Sequence, residues 1–400
     1  MPTPPSEPVM RSLSEVTLVS MAKGGACVAR LGESSRVVFV RDGIPGETVR
    51  IQVTDVTRKA WWRGRVVDVL EPSPDRVPAP CPVAGRCGGC DWQHMALVRQ
   101  RALKAESIAE QLRHLAGLDC PVTVLPVPGD SDGLAWRTRM RYLVDGSLIG
   151  LRAPFSNELV PLPPGGCPLA TPSGPEAPEL ARLADGTGEI AVTVADSGAT
   201  VWSPQRGVIL GDAVVTQRAA GRSYRVRADG FWQVHPGAAD ALCDAVVAAL
   251  RPRPGETALD LYCGVGLFAG ALSDAGASVV GVEANRAAVV LARQNVPEAR
   301  FVAGRVEASW GIEDGGAVDL VVLDPPRSGA GAAVVRRVAE ARPRAVAYVA
   351  CDEAALARDV ATFAGCGYRL TDLAAFDIFP MTSHVECVAR LEPCEVGAVG

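Results

Sequence analysis

From Ser14 to Leu70 apolar and polar positions alternate in short runs, VTLVSMAKGG, ACVARLGE, RVVFVRDGIPGETVRIQVTDV and RGRVVDVLEPSP, separated by Gly, Asp-Gly and Pro-Gly turn signals. A period of two sends successive side chains to opposite faces, so these runs predict short strands closing into a small all-β barrel. Pro72, Pro74, Pro78, Pro80 and Pro82 then remove too many backbone donors for a regular element and mark a boundary. Apolar residues at helical spacing follow from about Met95 to Leu115, and Pro- and Gly-rich strands, WRTRMRYLV among them, continue irregularly to about Val201. From about Asp229 the pattern changes to apolar strands at TALDLYC, SVVGVEA, ARFVAG, VDLVVLDPP, AVAYVAC, YRLTDLAAFDIF and HVECVARLE, with Ala-rich helices between the first five. Continuous apolar strands separated by helices predict a parallel sheet covered on both faces, and the two closely spaced final strands predict an antiparallel edge. The expected organisation is a barrel at 1–71, a central α+β domain at 72–228 and a doubly wound, Rossmann-like α/β domain at 229–400.

The chain has 400 residues, 48% apolar and 21% charged, which suits two or three cores and needs no disulfide staples. No apolar run approaches the ~20 residues of a membrane span, and MPTPPSEPVM lacks the basic start and apolar stretch of a signal peptide, so the expectation is a cytoplasmic protein. The net charge of −5 argues against a chain basic all over. Basic residues nevertheless outnumber acidic ones over residues 1–152 and are outnumbered beyond, so the amino-terminal part is the better polyanion-facing surface. Twelve cysteines in a reducing compartment point to metal binding or catalysis wherever they have a role.

Ligands of a doubly wound sheet sit at the carboxyl ends of its strands. The first strand here ends in Asp260-Leu-Tyr262-Cys-Gly264-Val-Gly266, a tight glycine turn into a helix, and the second ends at Glu283, placed to accept hydrogen bonds from ribose hydroxyls. The turn fits a methionine-sulfonium cofactor, S-adenosylmethionine, better than a dinucleotide. The fourth strand ends in Asp324-Pro325-Pro326-Arg327. Asp-Pro-Pro resembles methyltransferases acting on amino nitrogens, where an aromatic follows, but Arg327 holds that place. Cys351 closes the fifth strand and Glu386 opens the last, which offers a thiol and a carboxylate at one rim.

The ordered set Phe231-Trp-Gln233-Val-His235-Pro, Asp260-Leu-Tyr-Cys-Gly-Val-Gly266, Val282-Glu283, Asp324-Pro-Pro-Arg327, Cys351-Asp and His384-Val-Glu386 resembles the RNA 5-methyluridine (uracil-C5) methyltransferase family. The resemblance implies Cys351 as nucleophile and Glu386 as the base that removes the carbon 5 proton. It further implies Gln233, Tyr262, Glu283 and Asp324 as contacts to the cofactor or target uracil, with Phe231 an aromatic packing nearby. The chemistry is consistent, because uracil carbon 5 is a poor nucleophile until a thiolate adds to carbon 6. Three positions depart from the family: His235 for Asn, Ala350 for Ser and Glu353 for Pro. Glu353 would raise the thiol's pKa if it turned inward.

Cys81, Cys87 and Cys90 form a cluster with glycines between them, and Cys167 in Gly-Gly-Cys-Pro is the natural fourth thiolate. Four thiolates suit a 4Fe-4S cluster or zinc. The family resemblance implies the 4Fe-4S cluster, with zinc the alternative. The first 70 residues resemble a TRAM domain, an OB-like RNA-binding barrel. In it Arg50, Arg58, Lys59, Arg63 and Arg65 surround Trp61 and Trp62, which serve either as base-stacking rings or as core. Arg137, Arg139 and Arg141 alternate along one strand and would extend the patch. The resemblance implies 23S ribosomal RNA as the partner, with transfer RNA as the alternative substrate and a non-catalytic RNA-binding or assembly factor as the alternative class. No protein partner is expected, and a monomer is the default.

Overall fold

A computed structural model of the chain describes residues 13–394 apart from 33–34, 185, 187, 309 and 311–316. MPTPPSEPVM, on which the signal-peptide expectation rests, lies outside the described residues.

Leu13–Thr17, Ser20–Met21, Cys27–Leu31, Arg36–Arg41, Thr48–Asp55 and Trp61–Glu71 form one six-stranded sheet. Its pairings are antiparallel except that of Arg36–Arg41 with Trp61–Glu71. The expected period of two is visible: Val49, Ile51 and Val53 are buried, and the first two pack with Val16, Cys27, Ala29, Val38 and Val40. A second sheet, also antiparallel, contains Arg139–Asp145, Leu148–Arg152, Leu159–Pro161, Gly188–Ala195, Gly198–Ser203 and Gly207–Leu210.

The third sheet has eight strands in the order Arg300–Ala303, Ser278–Glu283, Thr257–Leu261, Leu320–Leu323, Ala345–Ala350, Glu386–Pro393, Tyr368–Asp377 and Val124–Pro126. Its first five are parallel and covered on both sides. Leu320 and Val322 enter one core while Val321 and Leu323 enter the other, so each residue of this strand is buried. The expected antiparallel pair is present but is not the edge. Glu386–Pro393 inserts between Ala345–Ala350 and Tyr368–Asp377, and Val124–Pro126 pairs outside them. A three-residue strand carries no readable period, and Pro126, lacking an N–H, is tolerated at an edge. Helices Leu267–Asp274, Arg286–Asn295, Gly331–Glu340 and Glu353–Gly365 cover the sheet. Between Ala303 and Leu320, where a helix was expected, residues 309 and 311–316 lie outside the described residues.

The cysteine-rich segment is tied to the loop that leads into Glu386–Pro393. In helix Leu97–Gln111 the buried Lys104 donates through Nζ to Asp377 Oδ1 at 2.5 Å and to the Phe379 carbonyl at 3.1 Å. Arg101 bonds the other Asp377 oxygen at 3.2 Å and Asp130 at 3.1 Å. Burial lowers the Lys104 pKa and the Asp377 charge opposes this, so each ion is tolerated because the other is there. Gln100 Oε1 accepts from Met381 N–H at 2.9 Å, and the Met381 carbonyl accepts from Asp91 and Trp92 N–H, both at 3.0 Å. Among the described residues no helix is long and apolar enough to cross a membrane.

Candidate active site

The turn after Thr257–Leu261 is built by backbone geometry. Tyr262 and Cys263 N–H both donate to the Val282 carbonyl, at 2.9 and 3.1 Å, and Tyr262 takes a left-handed φ of 65° that a non-glycine residue adopts only under constraint. Gly266 closes the turn at φ 93°, and a Cβ there would press on Phe301 at 3.2 Å and Val296 at 3.3 Å. Asp260 is fully buried; its Oδ2 accepts from Ala269 N–H at 2.8 Å and anchors the following helix. Its Oδ1 has no partner among the described residues, and burial holds its pKa well above the usual carboxylate range.

A cleft partly open to solvent lies over this turn. Gln233, Tyr262, Glu283 and Asp324, the four expected cofactor or substrate contacts, all line it, together with Gly264, Asn285, Trp232 and Phe268. Glu283 is held by Gly264 N–H on Oε2 at 3.1 Å and Asn285 N–H on Oε1 at 2.6 Å, which leaves further acceptor capacity on a fixed carboxylate. Phe231 stands at the rim, 73% exposed. An oriented acid at the second strand end, an orphaned buried oxygen at the first and apolar walls fit an adenosine carrying a cationic methionine.

Strand register brings the thiol and the carboxylates to one end of the sheet. Leu323, just before Asp324, pairs with both Leu261 and Tyr348, and Ala350 pairs with Cys387. Cys351 leaves its strand where Glu386 enters the neighbouring one. Burial first, then the charges of Glu386 and Asp324, push the Cys351 thiol up to about 11, while Arg327 pulls it down. Burial raises Asp324 to about 7. Glu386 is raised well above the usual range by burial and then by Asp324, with Arg327 again opposing. Arg327, named above in the motif set but without a role, therefore supplies positive charge to the cluster.

Glu353 does not turn onto the thiol. Its Oε1 accepts from Ser107 Oγ at 3.2 Å, in the first turn of a helix where its charge meets the positive end of the dipole. Asp352 caps the same helix through Ala355 N–H at 2.9 Å and pairs with Lys23 of the barrel at 2.5 Å. His235 is buried against Trp136, with its Nδ1 accepting from Gly237 N–H at 3.2 Å.

Cys81, Cys87 and Cys90 are buried and Cys167 half-buried. The Cys90 thiol is pushed up to about 12 by burial and then by Cys87, Cys167 and Cys81, and Cys87 is raised by burial and by Cys167 and Cys81. The four sulfurs share one electrostatic neighbourhood. Gln93 Nε2 donates to Cys90 Sγ at 3.0 Å and Gly89 N–H to Cys87 Sγ at 3.4 Å. Among the described residues no group of three or more His, Cys, Asp or Glu side chains is arranged to hold a metal ion. His94 bonds the Gly43 carbonyl at 3.2 Å instead of joining the sulfurs.

The expected arginine stripe is not a surface patch. Arg139 points inward, donating to the carbonyls of Ala228 at 3.1 Å and Gly230 at 2.7 Å, and burial lowers its pKa to about 10. Arg137 reaches Gly89, and Arg141 alone is exposed, paired with Glu189. Alternation along a strand places residues on one face without saying whether that face meets solvent. Trp61 and Trp62 are both half-buried, Trp61 edge-on to Phe39 at 5.4 Å and Trp62 packed on the barrel core.

Three family models match: TRAM domain at residues 14–67, methyltransferase small domain at 237–347 and tRNA (uracil-5-)-methyltransferase at 314–393. An uncharacterized RNA methyltransferase of Streptomyces avermitilis is 44% identical, covering 96% of this chain and 99% of its own. One of Bifidobacterium longum is 36% identical over 94% of this chain and 96% of its own. Among solved structures, the Pyrococcus abyssi tRNA (uracil-54, C5)-methyltransferase in complex with S-adenosyl-L-homocysteine aligns over 94% of this chain and 99% of its own, with a TM-score of 0.72 and 22% identity, a likeness of fold. With relatives this similar along nearly its whole length, the chain belongs to the RNA methyltransferases that join an amino-terminal TRAM domain to a carboxyl-terminal segment of the uracil-5-methyltransferase type.

Proposed function

We propose that this RNA methyltransferase methylates carbon 5 of a uridine through a transient bond between Cys351 and carbon 6. The observation that carries the reading is the convergence of Cys351, Glu386, Asp324 and Arg327 at one sheet end, with Asp324 shared between that cluster and the cleft. S-adenosylmethionine bound in the cleft would supply the electrophilic methyl group and leave as S-adenosylhomocysteine; Glu283 would accept from its ribose hydroxyls, and Gln233 and Tyr262 would line it.

The Cys351 thiol is protonated at neutral pH and must lose its proton to act. Asp324 and Glu386 are both raised, so the pair holds one proton between them; its ionised member accepts the thiol proton and passes it to solvent, which leaves one carboxylate of the pair free for the later step. The sulfur adds to carbon 6, the double-bond pair moves into an enolate reaching carbon 5, and carbon 5 takes the methyl group. Glu386 as carboxylate then removes the carbon 5 proton; the freed pair re-forms the ring double bond and the sulfur–carbon bond breaks. Release of tritium from RNA labelled at uridine carbon 5, with 5-methyluridine in the digest, tests the reading. Methylated adenosine or cytidine without tritium release would replace it.

Arg327→Gln removes the charge that favours both thiolate and carboxylate, so both pKa values rise and the acid limb of the pH–rate profile moves to higher pH. Each unit of that movement corresponds to about ten-fold slower turnover at neutral pH. A profile that keeps its limb while its amplitude falls would assign Arg327 to RNA contact instead.

The reading takes 23S ribosomal RNA as the substrate, transfer RNA as the second candidate and the cytoplasm as the location. The barrel does not decide between the RNAs, because the P. abyssi tRNA enzyme aligns over 94% of this chain, a coverage that includes most of the barrel. Methylation of both transcripts in parallel distinguishes them. The reading also assigns Cys81, Cys87, Cys90 and Cys167 to a 4Fe-4S cluster, with zinc the alternative. The N–H···S bonds from Gly89 and Gln93 support it, since such bonds stabilise liganded thiolates. Protein purified without oxygen should carry about four irons per chain with matching sulfide. Cys90→Ser should lower that content, whereas zinc in their place would select the alternative.

A further inference from the structure

Phe155 is 78% exposed, the highest value among the large apolar residues exposed in the described structure, and its backbone has a left-handed φ of 56°. A bulky residue held in that conformation costs stability, and so exposed a ring recovers little by packing. It sits in the turn between Leu148–Arg152 and Leu159–Pro161, and two guanidinium groups of the barrel approach its ring: Arg63 at 4.5 Å and Arg41 at 5.9 Å from the centroid. Arg63 lies also over Trp61 at 5.0 Å. Acids orient both cations, Asp55 on Arg63 at 3.0 Å and Asp91 on Arg41 at 3.3 Å.

The turn is braced from behind by the cysteine segment. Gly88 N–H donates to the Arg152 carbonyl at 2.8 Å, and a Cβ on Gly88 would meet that oxygen at 2.9 Å and Pro154 N at 3.2 Å. Asp91, besides holding Arg41, accepts from the backbone N–H of Ser383, three residues before Glu386. The aromatic surface therefore adjoins the loop that delivers the proposed base.

We propose that Phe155, with Arg41 and Arg63, is a stacking site for an unpaired base of the RNA substrate, built across the barrel and the second sheet beside the catalytic rim. An open aromatic face takes a base of any sequence, and adjacent guanidinium groups take its phosphates. Extruding a uridine deprives its neighbours of a stacking partner, and a fixed ring next to the site replaces it. The site rests on RNA being the substrate and is independent of the chemistry at carbon 5.

The test is fluorescence anisotropy of labelled oligouridine on the full chain, without methyl donor, so the outcome does not depend on methyl transfer. Phe155→Gly should weaken binding by roughly ten-fold, in line with loss of one stacked base. Its melting temperature should not fall, because glycine relieves the left-handed strain. Phe155→Trp should bind as the parent does, and Arg41→Gln should flatten the dependence of affinity on salt. Parental affinity in Phe155→Gly overturns the proposal, including the case in which the ring serves a protein contact. So does Phe155→Trp binding as weakly as Phe155→Gly.

Discussion

Cys351→Ser is expected to lower methyl transfer by about 10⁴-fold or more and to abolish covalent capture of RNA, on the scale seen when an activated nucleophile is removed. The informative substrate is RNA carrying 5-fluorouridine. With the parent protein and S-adenosylmethionine, sulfur adds to carbon 6 and carbon 5 is methylated, but fluorine cannot leave as a proton, so the reaction stops at a protein–RNA adduct visible on a denaturing gel. Serine keeps the size of the side chain but lacks a nucleophile able to ionise in this cluster, where burial and two carboxyls push even the thiol up to about 11. No adduct should form. Full activity in Cys351→Ala would refute the mechanism and leave direct attack by an amino nitrogen.

Glu386→Gln should block the opposite end of the cycle. Addition and methylation can still proceed with Asp324 alone taking the thiol proton, whereas departure of sulfur needs the carbon 5 proton removed by Glu386. Turnover should fall by about 10²- to 10⁴-fold, the usual worth of a general base, while an adduct accumulates on ordinary uridine RNA. The double variant with Cys351→Ser should form none. The same substitution should raise stability in a pH-dependent way. Burial raises the folded-state pKa of Glu386 above its unfolded value, so stability is greatest below the ordinary carboxylate range and is lost as pH rises through the raised value. Glutamine does not titrate, so the gain in melting temperature should be larger at about pH 8 than at about pH 5. A gain that is equal at both values would indicate packing as its origin.

The strand ends at Tyr262, Glu283, Asp324 and Cys351 were legible because a doubly wound sheet exposes them at a position that the chain itself announces, whereas Gln233 and the roles expected of these residues came from the family resemblance. Gln233, Tyr262 and Asp324 lie close to glycine or proline and Glu283 ends a strand just before the helix cap Asn285, and all four line the cleft. Asp260 stood inside the quoted motif without a role, and its unpartnered oxygen is a consequence of burial that a motif does not report. Glu353 looked like a threat to the thiol by proximity in sequence; the helix start carries it to Ser107 instead. Phe155 gave no signal, since a lone phenylalanine in a Pro- and Asn-containing turn does not reveal that two arginines of another sheet lie against it.

By itself the sequence determined the local elements: the alternating strands of the barrel, the buried parallel strands, the turn at Gly264-Val-Gly266 and the order of the chemical groups. Those depend on periods of two and 3.6 and on backbone restrictions of Gly and Pro, which act over a few residues. Tertiary structure decided the insertion of Glu386–Pro393 beside Ala345–Ala350, the inward turn of Arg139 and the Lys104–Asp377 pair that joins helix Leu97–Gln111 to the end of strand Tyr368–Asp377. Each joins residues far apart in sequence, and which distant partners meet depends on the packing of whole layers, a property that no short window of residues contains.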